Sequence, residues 1–352
     1  MKMSDRLFGS FSNDIGIDLG TANTLVYVRG KGVVINEPSV VALNTRTNEV
    51  LAIGREAQRM VGKTPGHIVA TRPLRDGVIS DFEVTEQMLR YFIQKVHEDG
   101  WHFLARPRVV IGLPSNVTEV ERRAVEEATL RAGARRVFLI EEVMAAAIGS
   151  RLPIHEATGS LVVDIGGGTT DIAVISLGGI VVSKTLRIAG DEMNENIVQY
   201  ARDNFNLLLG ERTAENIKIR IGSAIELPES LETPIRGRDL VTGLPKEVIM
   251  NSSQVREALQ RSITTIVEAV RTTVEETPPE LIADIIETGI ILAGGGSLLR
   301  GLDQVVSNAT QIATRLTDDP LTAVVRGTGF VLEDLEAVQE VLLPSVHNAS
   351  LK

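Results

Sequence analysis

Cysteine is absent from the 352-residue chain, which excludes disulfides and any cysteine-ligated metal or cluster and agrees with a reducing compartment. Histidine is scarce: His67, His97, His102, His155 and His347 are scattered and form no metal-binding pair. No apolar run reaches the ~18 residues that a membrane-spanning helix needs, and the N-terminus carries no signal-peptide core. The expectation is therefore a chain that neither spans a membrane nor is secreted by that route. Basic charge is also in deficit. With 36 Lys and Arg against 46 Asp and Glu the net charge is −10, which argues against nucleic acid as a partner, because phosphate contacts need a basic surface. What is present is a 43% hydrophobic, 23% charged composition, that of a folded protein long enough for two cores.

The most informative pattern occurs twice. Residues 15–28 read IGIDLGTANTLVYV and residues 162–175 read VVDIGGGTTDIAVI. Aligned without a gap, Asp18 falls on Asp164, Gly20 on Gly166 and Thr24 on Thr170. Each copy is an apolar strand ending in an acid, a tight Gly/Thr turn, and a second apolar strand. Such a turn gathers backbone N–H groups into one small space, and glycine permits close approach to an anion. An Asp before the turn suits a hydrated Mg²⁺ held against that anion. Two copies predict similar halves that clasp a polyphosphate between them.

The rest of the chain reads as α/β. A strand-like run, VVINEPSVVAL, covers 33–43, and a polar stretch follows over 44–77. Apolar spacing predicts a helix over 84–97, RVVIGLP (108–114) a buried strand, and Thr118 with Glu121 a capping box opening a helix that ends near Gly133. A strand over 137–140 then runs into a small-residue helix, 141–149. The second half repeats the plan, with a strand over 179–188, short helices within 190–222, a Pro- and charge-rich surface excursion over 225–247, and a long amphipathic helix over 253–277. Each half reads as a βββαβα-like unit with an insertion.

A third glycine cluster, Gly294, Gly295 and Gly296, follows a buried strand and precedes a helix expected from about Ser297, an arrangement that offers a helix N-terminus to a ligand. Gly62-Lys63-Thr64 imitates the end of a phosphate-binding loop, but the earlier glycine is replaced by Ala57. Glu141 and Glu142 lie where a strand meets a helix, at the sheet edge where open α/β folds bind ligands; a carboxylate there is able to orient water toward a γ-phosphate. Glu215 and Lys218, three apart on a helix, read by default as a surface ion pair.

IDLGTANT, the Glu before MAAAIG, VDIGGGTTD, LAGGGSLLRGL and VVRGTG (324–329) resemble, in order, the five nucleotide-fold motifs of the actin, Hsp70 and sugar-kinase superfamily. NEPSVVAL (36–43), TPGHI (64–68), RPLRDGVISDFEVTE (72–86), ERRA (121–124) and TPPELIADI (277–285) are similar to the bacterial actins of the MreB family. The resemblance implies two duplicated RNase H-like domains forming four subdomains around a nucleotide cleft. Residues 8–32, 76–148 and 320–347 would form subdomain IA, 33–75 IB, 149–184 and 250–319 IIA, and 185–249 IIB. It implies ATP and Mg²⁺ as cofactors. Thr21, Ala22, Asn23, Gly166, Gly167, Gly168 and Thr169 would lie at the phosphates. Glu215, Asn216, Ile217 and Lys218 would meet the ribose or base, and Gly294, Gly295, Gly296, Ser297 and Leu298 would flank the adenosine. Asp18 and Asp164 would hold Mg²⁺ through water, and Glu142 with Thr169 would position the attacking water. Val143 departs from the family's usual Pro at that helix start.

The function implied is a slow ATPase whose hydrolysis times the assembly of membrane-associated filaments. These would organise cell-wall synthesis and keep the cell rod-shaped, with a small-molecule kinase of the same superfamily as the alternative. Implied partners are further copies of the chain in paired protofilaments, the inner face of the cytoplasmic membrane, and membrane proteins of the elongation machinery. Two apolar elements are candidates for membrane contact: Trp101, Phe103 and Leu104 in the loop 98–107, and Leu7, Phe8 and Phe11 beside Lys2 and Arg6.

Overall fold

The computed structural model describes residues 13–98, 106–335 and 338–345. The first part of the chain forms β1 (Ile15–Leu19), β2 (Asn23–Val28), β3 (Gly32–Pro38), β4 (Val41–Asn44), β5 (Glu49–Ile53), α1 (Arg55–Met60), β6 (Ile68–Thr71), β7 (Leu74–Arg75) and β8 (Val78–Ile79). Next come α2 (Phe82–Lys95), β9 (Arg108–Leu113), α3 (Glu119–Arg131), β10 (Arg136–Glu141) and α4 (Glu142–Gly149). The second part forms β11 (Ser160–Ile165), β12 (Thr170–Ser176), β13 (Gly179–Leu186), α5 (Gly190–Phe205), β14 (Leu207–Leu208), α6 (Glu211–Ile221), β15 (Glu232–Asp239), β16 (Pro245–Asn251) and α7 (Ser252–Glu276). It closes with α8 (Pro279–Thr288), β17 (Ile290–Ala293), α9 (Leu302–Thr310), β18 (Thr314–Leu316), α10 (Ala323–Glu333) and β19 (Leu342–Leu343).

The duplication read from the twin motifs is a duplication of topology. One sheet has the order β19-β10-β9-β1-β2-β3, the other β13-β12-β11-β17-β18. In each, three antiparallel strands lead through β1 or β11 into parallel neighbours. Asp18 and Asp164 thus sit at equivalent points, each beside a parallel strand, with Gly112 and Ala293 as its register partners there. Between the sheets lie α4 and α10. Val143, Met144, Ala145, Ala146 and Ala147 are all buried, and they share one core with Val110, Ile140, Val162, Ala173, Ala293 and Val324. A helix apolar on every side has no solvent face to offer, so it becomes the central layer. Two further cores lie on the other faces, one under α2 and α3 and one under α5, α6, α7 and α9.

Several expectations are corrected. The excursion over 225–247 contains most of a hairpin, β15–β16, whose Thr233, Ile235 and Met250 face inward. Pro234 hides this strand from a sequence reading. It is tolerated because β14 pairs only with Arg238 and Asp239, leaving Pro234 unpaired on that side. The stretch 190–222 holds two substantial helices, and the helix expected from Ser297 is a 3-10 turn over Gly295–Leu298, with the α-helix starting at Leu302. The Thr118 capping box is present, with Glu121 N donating to Thr118 Oγ1 at 3.2 Å and Thr118 N to Glu121 Oε2 at 2.7 Å. A second box, Asn251 with Gln254, opens α7. No described helix is long and apolar enough to cross a membrane. The candidate membrane residues Leu7, Phe8, Phe11, Trp101, Phe103 and Leu104 lie outside the described residues.

Candidate functional site: a cavity between the twin turns

The two turns meet. A Cβ on Gly167 would stand 2.7 Å from the Ala22 methyl, and one on Gly168 would stand 2.6 Å from Thr21 Oγ1. Only glycine lets the loops approach this closely. Thr21 Oγ1 accepts from Gly77 N at 2.9 Å, which docks the Asp76-Gly77 turn on the same spot. Around the junction opens a cavity of about 570 Å³, a volume suited to a nucleotide-sized ligand. Its floor is Asp18, Gly20, Thr21, Ala22 and Asn23 from the first hairpin, and Asp164, Gly166, Gly167, Gly168 and Thr169 from the second. Glu142, Glu215, Lys218, Gly294, Gly295, Gly296 and Leu298 complete the predicted set that the fold brings together.

Three predicted residues do not line it. Asn216 is exposed, Ile217 is packed in the core under α6, and Ser297 is buried with its hydroxyl donating to Gly294 O at 2.6 Å. On a helix, residues 216 and 217 point away from the face that carries 215 and 218. The default surface ion pair is also corrected: Lys218 Nζ donates to Gly190 O at 2.6 Å. Burial lowers its pKa, and Glu215 and Asp191 counter that shift.

Wall residues that sequence reasoning missed include Gly190, Asp191, Met193, Arg300 and Leu321. Asp191 N donates to Gly167 O at 2.8 Å, and Gly190 N to Gly166 O at 3.1 Å, so the start of α5 holds the second turn in place. Arg72 reaches over from the strand region β6–β7 to bridge Asp191 Oδ2 at 3.0 Å and Glu211 Oε1 at 2.9 Å. No local signal announces this bridge, because its partners are far apart in the chain.

The floor is crowded with acid. Glu142 and Asp164 are buried, and burial pushes both carboxyls well above the usual range. Repulsion adds to this, from Asp18, Asp171 and Asp164 on Glu142, and from Asp18 and Asp171 on Asp164. Asp18 is raised from 3.8 to about 7 by burial. Asp164 Oδ1 is buried with no hydrogen-bond partner. An orphaned carboxylate oxygen among mutually repelling acids fits a cation. Among the described residues no group of three or more His, Cys, Asp or Glu side chains forms a direct ligand set, so the fit is to a hydrated ion shared with a ligand's phosphates. Glu142 faces the cavity, whereas Glu141, the residue before α4, does not line it.

A pH prediction follows for the ligand-free protein. Because folded Asp18 holds its proton more tightly than the unfolded chain does, its contribution to stability is fully present below pH 3.8. That contribution is lost as pH rises toward about 7. Asp18→Asn and wild type should unfold alike at the acid end, and the variant should have the higher thermal midpoint near neutrality. Parallel midpoints across the range would refute this.

Two sheets of one plan, with paired acid-glycine turns facing each other across a cavity, define an actin-like protein. The model of the MreB/Mbl protein family matches residues 12–340. The chain is 52% identical over 338 residues to the cell shape-determining protein MreB of Escherichia coli, covering 95% of this chain and 97% of that protein. The chain therefore belongs to the MreB/Mbl family. Crystal structures of MreB5 of Spiroplasma citri, bound to ADP and to AMPPNP, superpose with a TM-score of 0.88 at 40% identity, covering 94% of this chain and 98% of theirs. The MamK double helical filament shares the fold, with a TM-score of 0.77 at 23% identity over 92% of this chain and 99% of that one.

Proposed function

We propose that this chain is an ATP-dependent, membrane-associated filament protein that organises cell-wall synthesis and maintains rod cell shape, with ATP hydrolysis in the cavity timing assembly. The observation that carries the reading is the contact between the two glycine turns beside Asp18, Asp164 and Glu142. The nucleotides held by MreB5 and the shape-determining role of the E. coli relative support it. The chain divides into four subdomains with the boundaries that the resemblance implies.

Backbone N–H groups of the turns at Thr21–Asn23 and Gly166–Thr169 bind the phosphates. Glu215 and Lys218 meet the ribose or base, and Gly294 to Gly296 with Leu298 flank the adenosine. Asp18 and Asp164 hold Mg²⁺ through water; when bound, the ion neutralises charge on the phosphates. Glu142 accepts a hydrogen bond from the attacking water, and Thr169 lines the same wall. Burial and the neighbouring aspartates raise the proton affinity of Glu142, the direction a general base needs. The product is a slow, acceptor-independent release of phosphate.

The test is sedimentation with ATP, run beside phosphate release with no added acceptor. Filaments with acceptor-free release are expected; ADP formation only with a sugar or carboxylate acceptor would make the chain a kinase. In calorimetry, Asp164→Ala should sharply weaken Mg-ATP binding, and unchanged affinity would sink the metal role.

Filaments lie on the inner face of the cytoplasmic membrane, in paired protofilaments, beside membrane proteins of cell elongation. The two apolar elements in the loop 98–107 and at the N-terminus make the contact. Each large apolar side chain inserted contributes roughly 1.5–3 kcal/mol, weak for one molecule and strong for a filament through avidity. Liposome co-sedimentation should fall when Trp101, Phe103 and Leu104 become Ser, and fall further when residues 1–11 are also removed. Full binding by the combined variant would overturn this.

A further inference from the structure

A tight turn carries carbonyls as well as N–H groups, and a carbonyl oxygen repels an anion. In each of the two turns, two carbonyls are held by donors from a neighbouring segment. In the second turn Gly166 O accepts from Gly190 N at 3.1 Å and Gly167 O from Asp191 N at 2.8 Å, both donors at the start of α5. In the first turn one residue does both jobs: Ser39, in the corner between β3 and β4. Its hydroxyl donates to Gly20 O at 2.6 Å and its N–H to Ala22 O at 3.0 Å. Ser39 is fully buried and does not line the cavity, so the carbonyls it holds are turned into the protein behind the turn. A peptide unit is planar and trans, so its N–H points opposite to its C=O. Fixing Gly20 O and Ala22 O therefore directs the Thr21 and Asn23 N–H groups the other way, toward the cavity that both residues line. Gly20 and Gly166 are aligned positions, so the same carbonyl is restrained in both halves by unrelated donors. The restraint itself is what the two halves share.

Ser39 Oγ also lies 2.9 Å from Thr24 Oγ1. Each hydroxyl has one proton, and Ser39 gives its own to Gly20 O, which can only accept. Thr24, on β2 and fully buried as well, therefore donates to Ser39 and fixes the rotation of its hydroxyl. The chain from Thr24 through Ser39 to Gly20 O runs one way, and successive bonds of this kind polarise one another. We propose that Ser39 is a positioning residue for the phosphates, holding the first turn with its Thr21 and Asn23 N–H groups aimed at the polyphosphate. This rests on reading the cavity as an ATP site. With alanine at position 39, Gly20 O and the Thr24 hydroxyl lose their partner. The Gly20–Thr21 peptide unit is then free to rotate, and phosphate oxygens meet the negative end of its dipole.

Calorimetric titration of Ser39→Ala with Mg-ATP and with adenosine separates positioning from packing. Mg-ATP affinity should fall by at least about tenfold, the scale of a buried acceptor that has lost its donor. Adenosine, which has no phosphates, should bind as it does to wild type. Thr24→Val should show the same selective loss, smaller in size. The double variant should bind Mg-ATP no more weakly than Ser39→Ala alone, because Thr24 acts through Ser39. Unchanged Mg-ATP affinity in Ser39→Ala would overturn the proposal. So would an equal loss for adenosine, or losses that multiply in the double variant. If Ser39→Ala does not fold, Thr24→Val decides: weaker Mg-ATP binding with adenosine kept supports the proposal, and normal Mg-ATP binding refutes it. Wild-type protein that binds Mg-ATP no more tightly than adenosine would fail the reading of the cavity itself, whereas a phosphate-dependent wild type beside a normal Ser39→Ala would fail only the role of Ser39.

Discussion

Replacing Glu142 with Ala is expected to lower ATP turnover by about 10²–10⁴-fold, the span of a positioned acid–base group, while leaving ATP bound as tightly as before. A group that aligns water for in-line attack acts mainly in the transition state, so its loss appears in kcat and not in binding. The electrostatics point the same way. Glu142 and the aspartates Asp18, Asp164 and Asp171 repel one another, so removing Glu142 takes away no charge that holds the phosphates. Filaments formed with ATP should then persist longer than those of wild type. Glu141→Ala is the matched control, because Glu141 lies outside the cavity. Single-turnover phosphate release with a parallel binding titration checks the split. Normal turnover in Glu142→Ala with loss in Glu141→Ala would show that the wrong carboxylate carries the chemistry.

The second large effect is expected on folding. Helices α4 and α10 cross with almost no space between their backbones. A Cβ on Gly327 would lie 1.8 Å from Ala145 O, and one on Gly149 would lie 1.9 Å from Ala323 O. Overpacking that side chains can relieve costs about 1–3 kcal/mol. Here the obstacle is backbone in a helix that is itself the middle layer, so Gly327→Ala should cost ~3 kcal/mol or more, seen as a large fall in thermal midpoint and soluble yield. Gly66→Ala, where an added Cβ meets nothing within 4 Å, should be nearly silent. Equal midpoints for the two variants would contradict a close-packed crossing.

The features legible in the sequence are those whose cause is local. Asp18 and Asp164, with the glycines and threonines after them, specify an acid-tipped strand and a tight turn within about ten residues. Thr118 with Glu121 caps a helix by bonds within one turn. The apolar stripe Val255, Leu259, Ile263, Ile266, Val270 makes α7 recognisable as a helix with one buried face. The hairpin β15–β16 was not legible, because its inward alternation is interrupted by Pro234 and by charged outward residues. The Asn251 capping box does have a local signal, Asn followed three residues later by Gln.

The sequence by itself determined that two similar halves exist, that each ends a strand with an acid beside a glycine turn, and which strongly patterned segments, such as β9, α2, α3 and α7, form helices and strands around them. Short-range sterics and hydrogen bonding are enough for that. Tertiary structure decided which groups share the cavity. It turned Glu142 inward and left Glu141 outside, sent Ile217 into the core and Asn216 to solvent, and set Lys218 on Gly190 O. It also brought Arg72 to Asp191, and Ser115 to Asp171. These pairings join residues tens to more than a hundred positions apart. The two that join the halves, Arg72 with Asp191 and Ser115 with Asp171, need the sheets set against each other, and the packed layer of α4 and α10 between the sheets does that.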